Sequence, residues 1–323
     1  MSYKYSDVPN IVRQELYDAE LIKANDDWLI GRPMFDDVSS IFGDGDTLQR
    51  TKTGQRAMSD YEDDAAVDFT KMQTSRVDLS LTDYKQDAFY ITDKLKRDSH
   101  QAESFFAENI RQSAVAYERE IEKAVLATAN AQTLGDANII NGAAHRFKGK
   151  GTGGAITIED INAIKFAFDK ALVPTENRML IIPPEMEFEL NKLLNITEVS
   201  NGSNFNFNVD GLVQTGFGDM LNIVRNIAGI NIMISHNLPD VSGETLTQFD
   251  GTNSGSISGK LCVAMSMADA GCMPFHGVIR ETPSSEFFRN TTYKRDEWST
   301  TAEWGFGLKK AESLVTLAVP NSI

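Results

Sequence analysis

The side chains best suited to metal or nucleophilic chemistry are four histidines and two cysteines. His100, His145, His236 and His276 are scattered, and none lies three or four residues from another histidine. Zinc sites take their ligands in closely spaced pairs, so this pattern predicts no metal centre. His276 follows Cys272 by four residues; a single such pair reads as a core cysteine beside a surface histidine. Cys262 and Cys272 are too few for a disulfide framework and read as reduced thiols. Gly149-Lys150-Gly151-Thr152 touches on a phosphate loop. It lacks the Gly, four residues, Gly-Lys-Ser/Thr spacing and the strand before it. There is no Gly-x-Ser-x-Gly elbow. Asp63 and Asp64 are adjacent in a polar stretch, where water screens them, whereas a glycosidase needs two carboxyls facing one cleft. The residues therefore predict no catalytic constellation, no cofactor and no enzyme activity.

What remains is how the chain positions itself. Residues 99–133 hold no Pro and no Gly and repeat Phe106, Ile110, Ser113, Tyr117, Ile121, Ala124 and Thr128 at steps of three and four. This predicts a helical rod roughly 50 Å long, capped by Asp98 or Ser99 and stopped by Gly135. Glu108, Arg111, Arg119, Glu122 and Lys123 fall off its apolar side. The side is rich in Ala and Ser, which suits a spine better than a coiled-coil seam.

Ahead of the rod, residues 1–46 form an arm with a helix over Val8–Ala24 and a Pro- and Asp-bearing segment. Residues 47–75 carry almost no large apolar residue before Phe69. Arg50, Lys52 and Arg56 come first; Asp60, Glu62, Asp63 and Asp64 follow, then Lys71. A polar two-stranded ribbon fits, one too weak to stand alone, and a loop without order is the other reading. Arg76–Thr82 alternates as a half-buried strand, and 83–98 suits strand or helix equally.

Five glycines in 141–154 mark a hinge. A capped helix from Thr157, a strand Arg178–Ile182, a helix Pro184–Leu194 that buries Met186 and Phe188, and a strand pair in Ile223–Ser235 turning at Gly229 follow. Asn195–Asn208 and Gly243–Gly259 read as polar loops around this unit, with Lys260–Met265 as one more strand. After Gly277 the chain is β-prone, closing on Leu314–Val319. Those strands need the rod and the 76–82 strand as partners, so 155–276 reads as an insertion into a domain built from 76–154 and 277–323.

Composition narrows the function. The net charge is −15, from 46 acids and 31 bases, which repels phosphate and argues against a nucleic-acid reader. It suits a soluble surface, or a wall that faces nucleic acid without gripping it. No apolar run approaches membrane-spanning length, and the start lacks the apolar core of a signal peptide.

The order of these parts resembles the major capsid proteins of tailed bacteriophages, the Hong Kong 97-type fold. Four stretches carry the resemblance: Tyr84–Ser99 before the rod, Val173-Pro-Thr-Glu-Asn-Arg-Met-Leu-Ile-Ile-Pro-Pro, Gly229 through Asn237-Leu-Pro, and Trp304-Gly-Phe-Gly-Leu-Lys through Val319. It implies an α+β fold with an amino-terminal arm (1–46), an extended loop (47–75), a peripheral domain (76–154 and 277–323) with the spine helix 99–133, and an axial α/β domain (155–276). It implies a shell of pentamers and hexamers, in the virion, assembled in the host cytoplasm. Its partners would be further copies, a separate scaffolding protein (the arm being short), a portal protein, a decoration or cement protein, and enclosed double-stranded DNA held without sequence specificity; no membrane takes part. The intersubunit contact candidates are Arg50, Lys52, Arg56, Asp60, Glu62, Asp63, Asp64 and Lys71. Some relatives crosslink a loop lysine to an asparagine. Lys52 and Lys71 lie in the right loop, but nothing marks an asparagine and acid beside them, so no crosslink is expected. An encapsulin-type compartment shares the fold, and a soluble α/β enzyme is the alternative of another class.

Overall fold

The computed structural model describes residues 29–42, 45–54, 71–99, 102–195, 213–214 and 223–321, with positions 56, 58, 60, 63, 66 and 69 between residues 54 and 71. The helix expected over Val8–Ala24 and residues 196–208 of the Asn-rich stretch lie outside the described residues.

The chain begins with β1 (Phe35–Asp37) and the ribbon strands β2 (Thr47–Thr53) and β3 (Thr74–Ser80). The ambiguous stretch resolves into both of its readings in turn, β4 (Asp83–Thr92) and then α1 (Asp93–Asp98). The Thr92 hydroxyl caps α1 by accepting from the Leu95 N–H. The spine α2 (Ala102–Ala127) runs on through one 3₁₀ turn to Ala131. The spine proper is about 39 Å long at 1.5 Å per residue, shorter than predicted. Ser99 takes an extended conformation behind α1, so the helix must start afresh after it.

Short strands β5 (Ile139–Ile140), β6 (Ala143–Ala144) and β7 (Arg146–Lys148) follow. The helix α3 (Ile158–Lys170) opens on a capping box between Thr157 and Asp160. Next come β8 (Arg178–Ile182), α4 (Pro184–Asn195), β9 (Val213–Gln214), β10 (Ile223–Ile227) and β11 (Ile230–Ile234). Ala228 and Gly229, both at positive φ, make the tight turn between β10 and β11. Met186 is buried in α4, whereas Phe188, expected inside, is exposed. Residues 243–259, expected as a loop, belong mostly to β12 (Asp240–Thr247) and β13 (Ser254–Ser266), an antiparallel pair. The chain closes on β14 (Phe275–Asn290), β15 (Arg295–Leu308) and β16 (Leu314–Pro320).

Two sheets organise these elements. One has the order β1-β14-β15-β4. The other runs β7-β16-β13-β8-β11-β10-β9, with β12 also on β13. The final strand therefore sits inside the large sheet, between β7 and β13, and not in the sheet beside the rod as the sequence reading had it. This exchanges the expected partition: β7 and β16 join the strands of 155–276. The reason is burial on both faces, since β16 is buried from Leu314 to Val319 and needs cover on each side.

Alternation along β13 and β16 divides the core. Leu261, Val263, Met265, Leu314 and Ala318 face the carboxyl end of the rod, with Ile121, Val125, Leu126 and Ala129. Cys262, Ala264, Val315, Leu317 and Val319 face Ile161, Ile164 and Phe168 of α3 and Met186 of α4. The Cys262 thiol is held well above its ordinary pKa by burial, which makes it inert. The rod also lies on the four-stranded sheet: Tyr117 packs edge-on against Trp304, and Phe106 against Phe89.

One rod residue breaks the predicted pattern. Glu122, placed off the packed side by its spacing, is fully buried. Its carboxylate accepts the Ile30 N–H and the Ser235 hydroxyl, both at 2.5 Å, and the Asn237 side-chain amide at 3.2 Å. It thereby joins the arm, the rod and the turn after β11. A Cβ on Gly31 would stand 2.8 Å from the Glu122 Cα, so the arm crosses here at backbone contact distance.

Candidate assembly surface

The ribbon strands pair antiparallel from Thr47↔Ser80 to Thr53↔Thr74. Leu48, Arg50 and Lys52 alternate onto the half-buried side of β2 and turn toward the body of the chain. A small apolar pad of Leu79, Val38 and Val278 fixes the ribbon's base. The Arg50 guanidinium donates to Asp36 at 3.2 Å, and the Lys309 ammonium donates to the same Asp36 oxygen at 2.6 Å. Lys52 donates to both oxygens of Glu312, at 2.6 and 2.8 Å. Burial raises the Asp36 and Glu312 carboxyls, but their bonds to Lys309 and Arg50, and to Lys52, outweigh it and hold both below the ordinary range.

Arg50 and Lys52, predicted as contacts to another subunit, also make ion pairs within their own chain. Their partners are 14 and 260 residues away in sequence, so no local signal marks them. The Lys52–Glu312 pair is about one-third exposed on each side, and water screens it. A double-mutant cycle on Lys52→Gln and Glu312→Gln is expected to give a coupling of about 0–1 kcal/mol in chemical denaturation; a value above about 2 would contradict this.

The seat beneath the ribbon explains the aromatic–glycine repeat of the closing strands. Trp304 and Phe306 of β15 alternate with Gly305 and Gly307, so the two glycines share the face opposite Trp304 and the rod. A Cβ on Gly305 would stand 2.2 Å from the Ser80 carbonyl oxygen, and one on Gly307 would stand 2.6 Å from the His276 ring. The ribbon base crosses one face of the sheet at backbone contact while the rod covers the other. His276, expected at the surface beside a core Cys272, is the buried member of the pair; Cys272 is half-buried.

Beyond the paired strands, Arg56, Asp60, Asp63 and Lys71 are exposed, while Glu62 and Asp64 lie outside the described residues. Sequence reasoning weighed these charges and passed over their apolar neighbours. Met58 is fully exposed, Phe69 is 91% exposed and Met72 55%. Large apolar side chains this exposed are candidates for a contact surface.

The far end of the four-stranded sheet is a second exposed region. Phe287, Phe288 and Tyr293 stand out at the β14–β15 turn. Arg289 pairs with Asp93 at 2.6 Å and Asp296 at 2.8 Å, and Lys96 also bonds Asp296, which ties α1 to the turn. Arg295 stacks on Tyr90 at 4.4 Å and Tyr293 at 4.9 Å.

The loop around Lys150 holds carboxylates where a phosphate loop would hold phosphate. Its ammonium bonds Glu159 and Asp250, and its N–H bonds Asp160. Among the described residues no cluster of three His, Cys, Asp or Glu is placed to hold a metal, and no helix is long and apolar enough to cross a membrane.

A spine on one face of a sheet, a projecting ribbon on the other and a second sheet at the rod's end define the Hong Kong 97-like capsid fold. Solved structures agree. A chain of Mycobacterium phage Che8 is similar with a TM-score of 0.65 at 16% identity, over 95% of this chain and 97% of that one. The capsid structure of cyanophage P-SCSP1u gives 0.65 at 15% identity, over 98% and 95%. The capsid of a native GTA particle gives 0.61 at 10% identity, over 98% and 97%. No curated protein matches in sequence. The family model described as phage capsid protein matches residues 75–317, and the chain belongs to that family. It is a structural protein of the virion, a major capsid protein that self-assembles into an icosahedral shell; neither the encapsulin-type compartment nor the soluble enzyme is favoured.

Proposed function

We propose that copies of this chain group into pentamers and hexamers around the region 155–276 and close a shell around double-stranded DNA in the host cytoplasm. The ribbon's outer end lies over the adjacent subunit and sets its register, and the β14–β15 turn meets its counterparts where capsomers join. A separate scaffolding protein, a portal protein and a decoration protein are the partners this reading expects. The acidic surface then lines or covers DNA without gripping it.

The observation that carries this reading is the exposed Met58 and Phe69 beyond a ribbon whose base is bonded to its own chain. Arg56, Asp60, Asp63 and Lys71 flank them, and with Glu62 and Asp64 they steer the approach more than they hold it. Electron microscopy of the expressed chain, with and without a scaffolding protein, tests the reading. Wild-type chains are expected to form closed particles. Met58→Ser with Phe69→Ser should cut particle yield at least tenfold while shifting the chain's own stability by less than about 0.5 kcal/mol, as for exposed sites. Undiminished particles from that variant would remove the ribbon from the contact.

A further inference from the structure

Among the described residues His276 is unusual: its ring is fully buried, and neither ring nitrogen has a hydrogen-bond partner. Buried polar atoms are nearly always satisfied, so an orphaned imidazole calls for an account. The ring lies between the four-stranded sheet and the ribbon's base. Gly307 and Leu79 close over it, and three charges surround it: Asp36 from β1, Arg50 from β2 and Lys309 just past β15. The elements packed on it bring two cations and one anion. The anion is already shared between both cations.

We propose that the base of the β2–β3 ribbon is an acid-releasable strap, latched by Asp36 and Glu312 and unlatched when the buried His276 ring takes up a proton. A second cation source under Arg50 and Lys309 competes for the one carboxylate they share. The imidazolium finds no free acceptor in its pocket, since Arg50 and Lys309 already share the one nearby carboxylate, so it is stabilised only if the ribbon lifts and water enters. Besides its ion pairs the strap rests on a small pad: three buried side chains with Phe42, Leu48 and Leu81 partly buried against them. Beside it a cleft of about 660 Å³, lined in part by Arg50, Lys52, Leu172, Lys309 and Glu312, gives the base room to shift.

The direction and the window follow from the titration. Burial, then Arg50 and Lys309, lower His276 from its ordinary 6.5 to about 4. The lifted ribbon returns the ring toward 6.5, so the lifted form binds the proton first as pH falls. The latched form is favoured fully above 6.5 and loses ground through the range down to 4. Asp36 does not act in that window. Its carboxyl is held below its ordinary value by its two cations, so its contribution to the latch is lost only at lower pH. In the window the opening constant rises about tenfold per pH unit, or about 30-fold between pH 7.5 and 5.

The test is amide hydrogen exchange on the full chain at pH 7.5 and pH 5, corrected for intrinsic exchange, with the oligomeric state matched by sedimentation. Amides of residues 47–53 and 74–80 are expected to exchange about 30-fold faster at pH 5, while those of β13 and β16 do not change. His276→Gln, which cannot take the proton, should flatten the response; His145→Gln, altering the other buried histidine, should leave it intact. A ribbon whose exchange is the same at both pH values overturns the proposal on the wild-type chain alone, whether or not the variant folds. So does a rise shared equally by β13 and β16, or an undiminished rise in His276→Gln. The outcome is independent of particle formation, so it stands apart from the shell-building role.

Discussion

Replacing Glu122 by alanine is expected to destabilise the chain by about 3–5 kcal/mol, read as a shift in the midpoint of urea unfolding. The mutation removes no apolar contact of note. It strands three donors: the buried Ile30 N–H and Ser235 hydroxyl, and the half-buried Asn237 amide. Each buried donor left unpaired costs roughly 1–3 kcal/mol. The three belong to the arm and to the turn after β11, so the loss should be local before it is global: faster amide exchange at residue 30 and at 235–237 in conditions where β13 stays protected. Glu122→Gln keeps one carbonyl acceptor but presents an amide to a donor, and should lie between wild type and alanine. A cost below about 1 kcal/mol for the alanine variant would mean that the rod and the larger sheet do not depend on this junction.

The second large effect is at Gly305. A methyl group there would be 2.2 Å from the Ser80 carbonyl oxygen and 2.9 Å from the Leu81 Cα, both backbone atoms. No rotamer can relieve a backbone clash of that size, so either β15 bends or the ribbon leaves its seat. Bending β15 would break its register with β14 and β4, two long antiparallel partners, and disturb Trp304 on the other face. Lifting the ribbon gives up the pad under Leu79 and two screened ion pairs, about 2–3 kcal/mol in all. The cheaper response wins. Gly305→Ala is therefore expected to keep a folded chain, about 2–3 kcal/mol less stable, with fast exchange over 47–53 and 74–80 and no closed particles by electron microscopy. A variant that assembles normally would show that the seat does not set the ribbon's direction.

These positions mark where sequence reading reaches and where it stops. Features set by neighbours in sequence were legible: the rod from its three- and four-residue repeat, the Thr157 capping box, the β10–β11 turn at Gly229, and the ribbon from its alternating polar strands. Glu122 was misplaced because a carboxylate on a helix is solvated unless three donors arrive from residues 92 to 115 positions away. Residues 243–259 looked like a loop because glycines punctuate them. Gly259 is required instead inside a strand, where a Cβ would stand 2.0 Å from the Val319 carbonyl oxygen. The candidate contacts divided the same way. Charge drew notice to Arg50 and Lys52, which turned out to hold the ribbon to its own body, and drew it away from Met58 and Phe69. Isolated apolar residues in a polar stretch carry no periodicity to read.

The place of β16 bears on how such a chain is made. Residues 314–320 fill a gap between β7 and β13, and they touch both halves of the interior. Until they are in place, the larger sheet lacks the strand that joins β7 to β13 and neither core can close. A chain therefore cannot present a finished tile before β16 has met both β7 and β13. Growth of the lattice is then confined to subunits whose β16 is already seated, since only these have closed both cores.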